Sequence, residues 1–115
     1  MTEERAKRFD DLLKQEVGKI IFNLLETRPG ILVTVTRVET TPNLFESAVF
    51  VSVYPSMAAE EILEKLSRSV WEIQQELNRK LKIRPVPKIR FAYDKNPEEA
   101  AEIEKLLEEV KEVNE

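Results

Sequence analysis

The sequence predicts a single α+β domain in which a three-stranded sheet packs against helices. Two patterns lead to this fold class. Apolar residues recur every three or four positions in long segments, as they do on the buried face of a helix. In shorter segments rich in β-branched residues, apolar and polar side chains alternate, as they do in strands. The chain has 115 residues, which is the size of one domain with one core.

The elements are predicted in the order α-β-β-α-α-β, followed by an extra C-terminal helix. An apolar stripe over residues 3–26 predicts the first helix, which ends before Pro29 and Gly30. Residues 31–40 and 47–54 predict two strands with a short turn between them. A turn of this length favours an antiparallel hairpin.

Residues 57–82 keep a helical apolar spacing throughout. A helix of that length would span about 39 Å, which is too long for the sheet of a small domain. We therefore expect a bend at Ser67 and Ser69, the weakest helix formers in the middle of the segment. Two prolines then stop the helix, and residues 88–94 predict a third strand with one apolar and one basic face.

The C-terminal segment differs from the rest of the chain in its charge. Residues 97–115 hold eight acidic and two basic residues, a net charge of −6, whereas residues 1–96 sum to +2. Asn96 and Pro97 are typical of a helix start. We expect a domain over residues 1–96, with residues 97–115 as an acidic helix that is part of this domain or appended to it.

The composition excludes most catalytic chemistry. The chain has no cysteine and no histidine, which excludes zinc fingers, thiol nucleophiles and histidine-based acid–base pairs. Its two glycines, Gly18 and Gly30, cannot form a glycine-rich phosphate-binding loop. Carboxylates on the predicted last helix form a solvated face that does not enclose a cation. We expect no enzyme activity, no catalytic residue, no metal site and no cofactor.

The sequence shows no targeting or membrane segment. No stretch approaches ~18 consecutive apolar residues, and the N-terminus begins with acidic residues rather than with the pattern of a signal peptide. We therefore expect a cytoplasmic protein without a membrane partner.

Positive charge is concentrated in residues 79–95, which hold seven basic residues and one acidic residue. Clustering at a helix end also occurs as simple capping, but Lys88 and Arg90 lie on the predicted third strand. Helix end, loop and strand together would present one surface suited to phosphates. The candidate RNA-binding residues are Arg79, Lys80, Lys82, Arg84, Lys88 and Arg90, with Arg5, Lys7 and Arg8 of the first helix as secondary contacts.

Trp71 has two interpretations. An indole can stack on a nucleobase, as aromatic side chains do in single-strand sites. The favoured interpretation is that Trp71 covers the edge of the core near the expected bend.

The chain resembles the ribosome-binding factor A family over nearly its whole length. The most specific stretch runs from Arg84 to Asp94 and reads R-x-V-P-x-[apolar]-x-F-x-x-D. Residues 33–38 and 48–53 resemble the first two strands of the family. The family is similar to type II KH domains, an RNA-binding fold, but lacks their G-x-x-G loop.

Three departures from the family pattern stand out. The small-x-glycine interruption of the family corresponds to Ser69-Val70-Trp71, in which the glycine is absent. Gln74 and Glu102 stand where arginine is common. The RNA contacts are therefore expected to shift toward residues 79–95.

The resemblance implies a non-catalytic factor that binds the small ribosomal subunit and its rRNA during late maturation of that rRNA. A monomer without DNA binding is expected. The alternative is a protein-interaction or homodimerising α+β module that does not bind RNA.

Overall fold

The computed structural model describes residues 3–94, and it has the predicted α+β fold class with one three-stranded sheet. Its elements are helix α1 (Glu3–Leu24), strands β1 (Leu32–Thr40) and β2 (Glu46–Tyr54), a short 3-10 turn (Ser56–Ala58), helix α2 (Ala59–Lys80) and strand β3 (Lys88–Tyr93). The predicted last helix and the boundary at residue 96 lie outside the described residues.

The sheet has the strand order β1-β2-β3. Strands β1 and β2 pair antiparallel, which confirms the predicted hairpin, and β2 pairs parallel with β3. Parallel neighbours need a long crossover connection, and α2 supplies it. Strand β3 is therefore an edge strand, and it is the next element after α2 in the chain.

The core lies between one face of the sheet and the two helices. Helix α1 packs on β1, helix α2 packs on β3, and the helices contact each other. The alternation of β2 places Val49, Val51 and Val53 in this core, as the sequence pattern indicates. The fully buried helical side chains are Leu13, Val17, Ile62, Leu66, Ile73 and Leu77.

The second helical region is one helix, so the order among the described residues is α-β-β-α-β. The bend expected at Ser67 and Ser69 does not divide it, because both serines lie inside the 22 residues of α2. A serine costs only about 0.5 kcal/mol in a helix, and the unbroken stripe of buried side chains outweighs that cost. The helix also begins later than expected, and at about 33 Å it fits along the sheet. Within residues 3–94, no helix is both long and apolar enough to cross a lipid bilayer.

The packing of α2 leads to a stability prediction. Leu66 is fully buried in the core, whereas Leu12 of α1 is 40% exposed. Leu66→Ala should lower the free energy of unfolding by about 2–5 kcal/mol, because it removes buried methyl groups and leaves a cavity. Leu12→Ala is the matched control and should cost less than about 1 kcal/mol. Urea unfolding measures both, and equal losses would contradict this placement of the core.

Candidate nucleic-acid interface

The end of α2, the loop after it and β3 form the structural base of the predicted site. Helix α2 ends at Lys80, so Lys82 and Arg84 belong to the loop rather than to the helix end. Leu81 is buried in the core and anchors the chain where the helix stops. We call the following six side chains, all exposed, the basic surface: Arg79, Lys80, Lys82, Arg84, Lys88 and Arg90.

The side-chain amide of Gln74 joins α2 to the start of β3. Its Nε2 donates to the carbonyl oxygen of Pro87 at 3.1 Å and to Oδ1 of Asn78 at 3.1 Å. Its Oε1 accepts a hydrogen bond of 2.8 Å from the amide of Ile89. Ile89 lies on the edge strand, where an outward amide would otherwise lack a partner. Gln74 therefore determines how the strand sits against the helix.

This role was not predicted from the sequence, in which Gln74 stands out only as a departure from the family pattern. The sequence contains one indication that Gln74 has a structural role. Gln74 follows Val70 by four positions, and both residues are half-buried on α2. A polar side chain in such a position requires a hydrogen-bond partner, but the sequence does not show which backbone groups supply it.

Arg84 caps the C-terminus of α2. Its guanidinium donates to the carbonyl oxygens of Leu81 and Ile83, both at 2.8 Å, and to that of Asn78 at 3.1 Å. The capping interpretation of the basic cluster therefore applies to this residue. Because the acceptors are neutral carbonyls, the positive charge of Arg84 remains available to an anion.

Among the acids of residues 3–94, few are paired with the basic surface. Arg79 forms an ion pair with Glu76. Within residues 3–94, Lys80, Lys82, Lys88 and Arg90 form no ion pair; this set is the uncompensated part of the surface.

The one acid of the basic run is turned into the sheet. Asp94 is 8% exposed, and its Oδ2 accepts a hydrogen bond of 2.5 Å from the hydroxyl of Thr36. Thr36 lies at the bulge where the register of β1 shifts. The carboxylate of Asp94 thus ties the end of β3 to β1 across the sheet.

Strand β3 extends the basic surface onto the face of the sheet that points away from the helices. In the parallel register Lys88 lies opposite Glu46 and Arg90 opposite Ala48. Arg90 also lines a hollow of about 390 Å³ between α2 and β3. Farther across this face, the guanidinium of Arg37 lies 4.0 Å from the centre of the Phe50 ring. The surface therefore wraps around the sheet edge.

The predicted secondary RNA contacts, which lie on α1, are at the same end of the sheet as the start of β3. The hydroxyl of Thr40 contacts both Oδ1 of Asp10 at 2.6 Å and the hydroxyl of Ser47 at 2.7 Å. Ser47 in turn lies opposite Ile89. Strands β1 and β3 are two strand spacings apart, roughly 10 Å. The three residues of this set, all exposed, are Arg5, Lys7 and Arg8.

Trp71 does not cover the core edge, contrary to the favoured interpretation. Its side chain is 70% exposed. The buried stripe of α2 runs through Ile73 and Leu77, and Trp71 lies off that stripe on a helix that is not divided near it. The exposed indole lies next to two members of the basic surface, because Arg79 and Arg84 line the same hollow.

Among residues 3–94, no three acidic side chains come together in a way that could hold a metal ion.

Fold and site together define a small α+β domain whose exposed cations are grouped on a helix end, a loop and an edge strand. The model of the ribosome-binding factor A family matches residues 5–107. The chain therefore belongs to this family. The match reaches past residue 96 into the predicted last helix.

Relatives of nearly equal length support the assignment. Ribosome-binding factor A of Clostridium botulinum (strain Hall) is 36% identical over 114 residues, covering 97% of this chain and 95% of that protein. The protein of the same name from Halothermothrix orenii is 34% identical over 116 residues, covering 100% of this chain and 95% of that protein.

Solved structures of the family share the fold. The crystal structure of ribosome-binding factor A from Thermus thermophilus has a TM-score of 0.66 at 24% identity, covering 76% of this chain and 93% of that one. A homology model of the Thermus thermophilus protein, fitted into a cryo-EM map of a 30S–RbfA complex, has a TM-score of 0.59 at 25% identity. It covers 72% of this chain and 88% of that one.

The hydrogen bonds of Gln74 lead to the second stability prediction. Gln74→Leu removes all three and leaves the amide of Ile89 without its partner, which should cost about 1–3 kcal/mol of unfolding free energy. The amide of Ile89 should also lose protection against hydrogen exchange. Gln75→Leu is the control, because Gln75 makes no side-chain hydrogen bond within residues 3–94. Equal urea midpoints for the two variants would show that Gln74 does not hold the strand.

Proposed function

We propose that the protein is a non-catalytic assembly factor that binds the small ribosomal subunit through its rRNA and assists late maturation of that rRNA. The observation that carries the proposal is the basic surface on α2, the loop and β3, in a chain of the ribosome-binding factor A family. The complex of a Thermus thermophilus relative with the 30S subunit supports the choice of partner.

Recognition follows the shape of folded rRNA. A KH module that grips single-stranded RNA uses a G-x-x-G loop, and this chain has no two glycines close enough to form one. Cations on a helix end and an edge strand instead contact phosphates, which position a protein on an RNA without reading bases. Residues 79–90 make the main contacts, and Arg5, Lys7 and Arg8 add secondary ones at the same end of the sheet.

The proposal includes the setting of this activity. The protein acts in the cytoplasm as a monomer, and neither DNA nor a membrane is a partner. These statements rest on membership of the family, whose model matches most of the chain.

Selective binding is the first outcome to check. The pure protein should sediment with isolated small subunits at about 0.1 M and about 0.3 M salt, because specific contacts survive screening that removes loose ones. It should not sediment with large subunits or with an unrelated structured RNA at the higher salt. Equal, salt-sensitive binding to all three would mean that the site binds polyanions in general and does not select the small subunit. Absence of binding, together with a mass that grows with concentration, would favour the protein-interaction alternative.

Salt dependence and charge neutralisation test the basic surface itself. If four to six phosphates are contacted, the logarithm of affinity should fall with the logarithm of salt concentration at a slope of roughly −3 to −5. Lys88→Gln with Arg90→Gln should reduce that slope by about two and weaken binding roughly tenfold or more at low salt. Glutamine is preferred to glutamate here, because a new acid at position 88 would lie opposite Glu46.

The matched control is Lys14→Gln with Lys19→Gln, two exposed cations of α1 outside the proposed site. This control changes the net charge by the same amount and should leave the slope unchanged. An equal loss in both double variants would mean that only total charge matters. Arg84 is unsuitable for this test, since its substitution also removes the cap of α2.

A further inference from the structure

Trp71 is the one tryptophan of the chain and is 70% exposed in the middle of α2. It forms part of the wall of a hollow of about 580 Å³. Sites for small organic molecules have volumes of roughly 300–1,000 Å³. We call this site the Trp71 hollow; its lining residues are Leu24, Trp71, Glu72, Gln75, Glu76, Asn78, Arg79 and Arg84.

The Trp71 hollow is built on secondary structure. Positions 71, 75, 78 and 79 follow one another at helical spacing, so their side chains share one face of α2. Leu24, the last residue of α1, forms an apolar wall, and Arg84 of the loop closes the side nearest the end of α2. The indole is therefore presented by a rigid helix rather than by a flexible loop.

The polar groups of the hollow are suited to the edge of a nucleobase. The side-chain amide of Gln75 has no hydrogen-bond partner within residues 3–94. The amide Oδ1 of Asn78 accepts from Gln74, which leaves its NH2 group as a donor. Amide side chains that offer both donors and acceptors beside an exposed aromatic ring are typical of sites that bind unstacked bases.

We propose that the Trp71 hollow receives one unpaired base of the rRNA, stacked on the indole of Trp71. This inference rests on the proposed function, because the folded rRNA that contacts the basic surface presents the base. The two sites are continuous, since Arg79 and Arg84 belong to both. The phosphates next to the base lie toward Arg84, beside the uncompensated part of the basic surface.

Charge favours RNA over a protein partner as the occupant. From residue 79 to residue 93 the chain has no acidic residue, and this run begins at the wall of the hollow. Of the two acids in the lining, Glu76 is paired with Arg79, and Glu72 lies beside Trp71 in the helix. A neutral base fits next to Glu72, whereas a phosphate does not, so the indole contacts the base and the arginines contact the backbone.

Two substitutions of Trp71 separate stacking from simple apolar contact. Trp71→Phe keeps a flat aromatic ring and should leave affinity for small subunits within about threefold. Trp71→Leu keeps an apolar side chain but removes the ring, and should weaken binding by about 5- to 100-fold. Both variants should unfold at the urea concentration of the wild type, because the side chain lies largely in solvent. If Trp71→Leu binds small subunits as tightly as Trp71→Phe, or if both variants have the affinity of the wild type, the stacking proposal is wrong.

A spectroscopic measurement reports on the ring itself. The chain has one tryptophan, so biosynthetic replacement by 5-hydroxytryptophan labels Trp71 alone. This analogue is excited at wavelengths at which the tryptophans of ribosomal proteins do not absorb. Its emission should be quenched when small subunits are added, and collisional quenching by acrylamide should decrease. Unchanged emission in a mixture that cosediments would overturn the stacking proposal and leave the proposed function intact, whereas failure of the wild-type protein to bind subunits would overturn both.

Glu72→Gln should change the affinity for small subunits in the opposite direction to Trp71→Leu. Removal of this carboxylate beside the hollow should strengthen binding by about two- to threefold, because it no longer repels the phosphates that flank the base. Glu60→Gln is the control, an exposed acid of the first turn of α2 with the same change of charge. Equal gains in the two variants would show an effect of total charge and would count against a base-binding site at Trp71.

Discussion

Two hydrogen bonds of the Gln74 side-chain amide join α2 to the loop and the strand that carry the rest of the basic surface. Strand β3 is an edge strand, so the amide of Ile89 has no neighbouring strand to pair with. Gln74 supplies that partner and also binds the carbonyl of Pro87, at the end of the loop. The contact therefore fixes helix, loop and strand relative to one another. It acts together with the pairing of β3 with β2 and the burial of Leu81, and the three hold the cations of these elements in one arrangement.

The strands and the first helix were predictable from the sequence, because their apolar residues follow the period of the structure that buries them. Val49, Val51 and Val53 alternate in β2, and the same three lie in the core. The expected division of α2 was wrong: it rested on a predicted length that exceeds the 22 residues of the helix, and local propensity placed it at the two serines. Two serines cost little in a helix whose buried stripe is continuous, and packing decides the outcome.

The candidate site was predictable in its composition but not in its contacts. Periodicity correctly indicates that Lys88 and Arg90 lie away from the apolar face of β3. It does not show that Arg84 binds three carbonyl oxygens, that Asp94 accepts from Thr36, or that Gln74 binds the edge strand. These hydrogen bonds join groups that are brought together only by the tertiary structure. Trp71 was misplaced for the same reason, since its exposure depends on the direction of a helix face relative to α1.

The cap of α2 also bears on the proposed binding of RNA. Three carbonyl oxygens hold the guanidinium of Arg84 in one place before any partner arrives. A flexible arginine loses side-chain entropy when it binds a phosphate, and a side chain that is already ordered loses less. Because Arg84 lines the Trp71 hollow and belongs to the basic surface, one pre-ordered group links the proposed phosphate contacts to the proposed base contact. Phosphate contacts position a protein on an RNA, and base contacts add selectivity. In the proposed function, the end of α2 is thus the point in the fold at which affinity and selectivity for folded rRNA are joined.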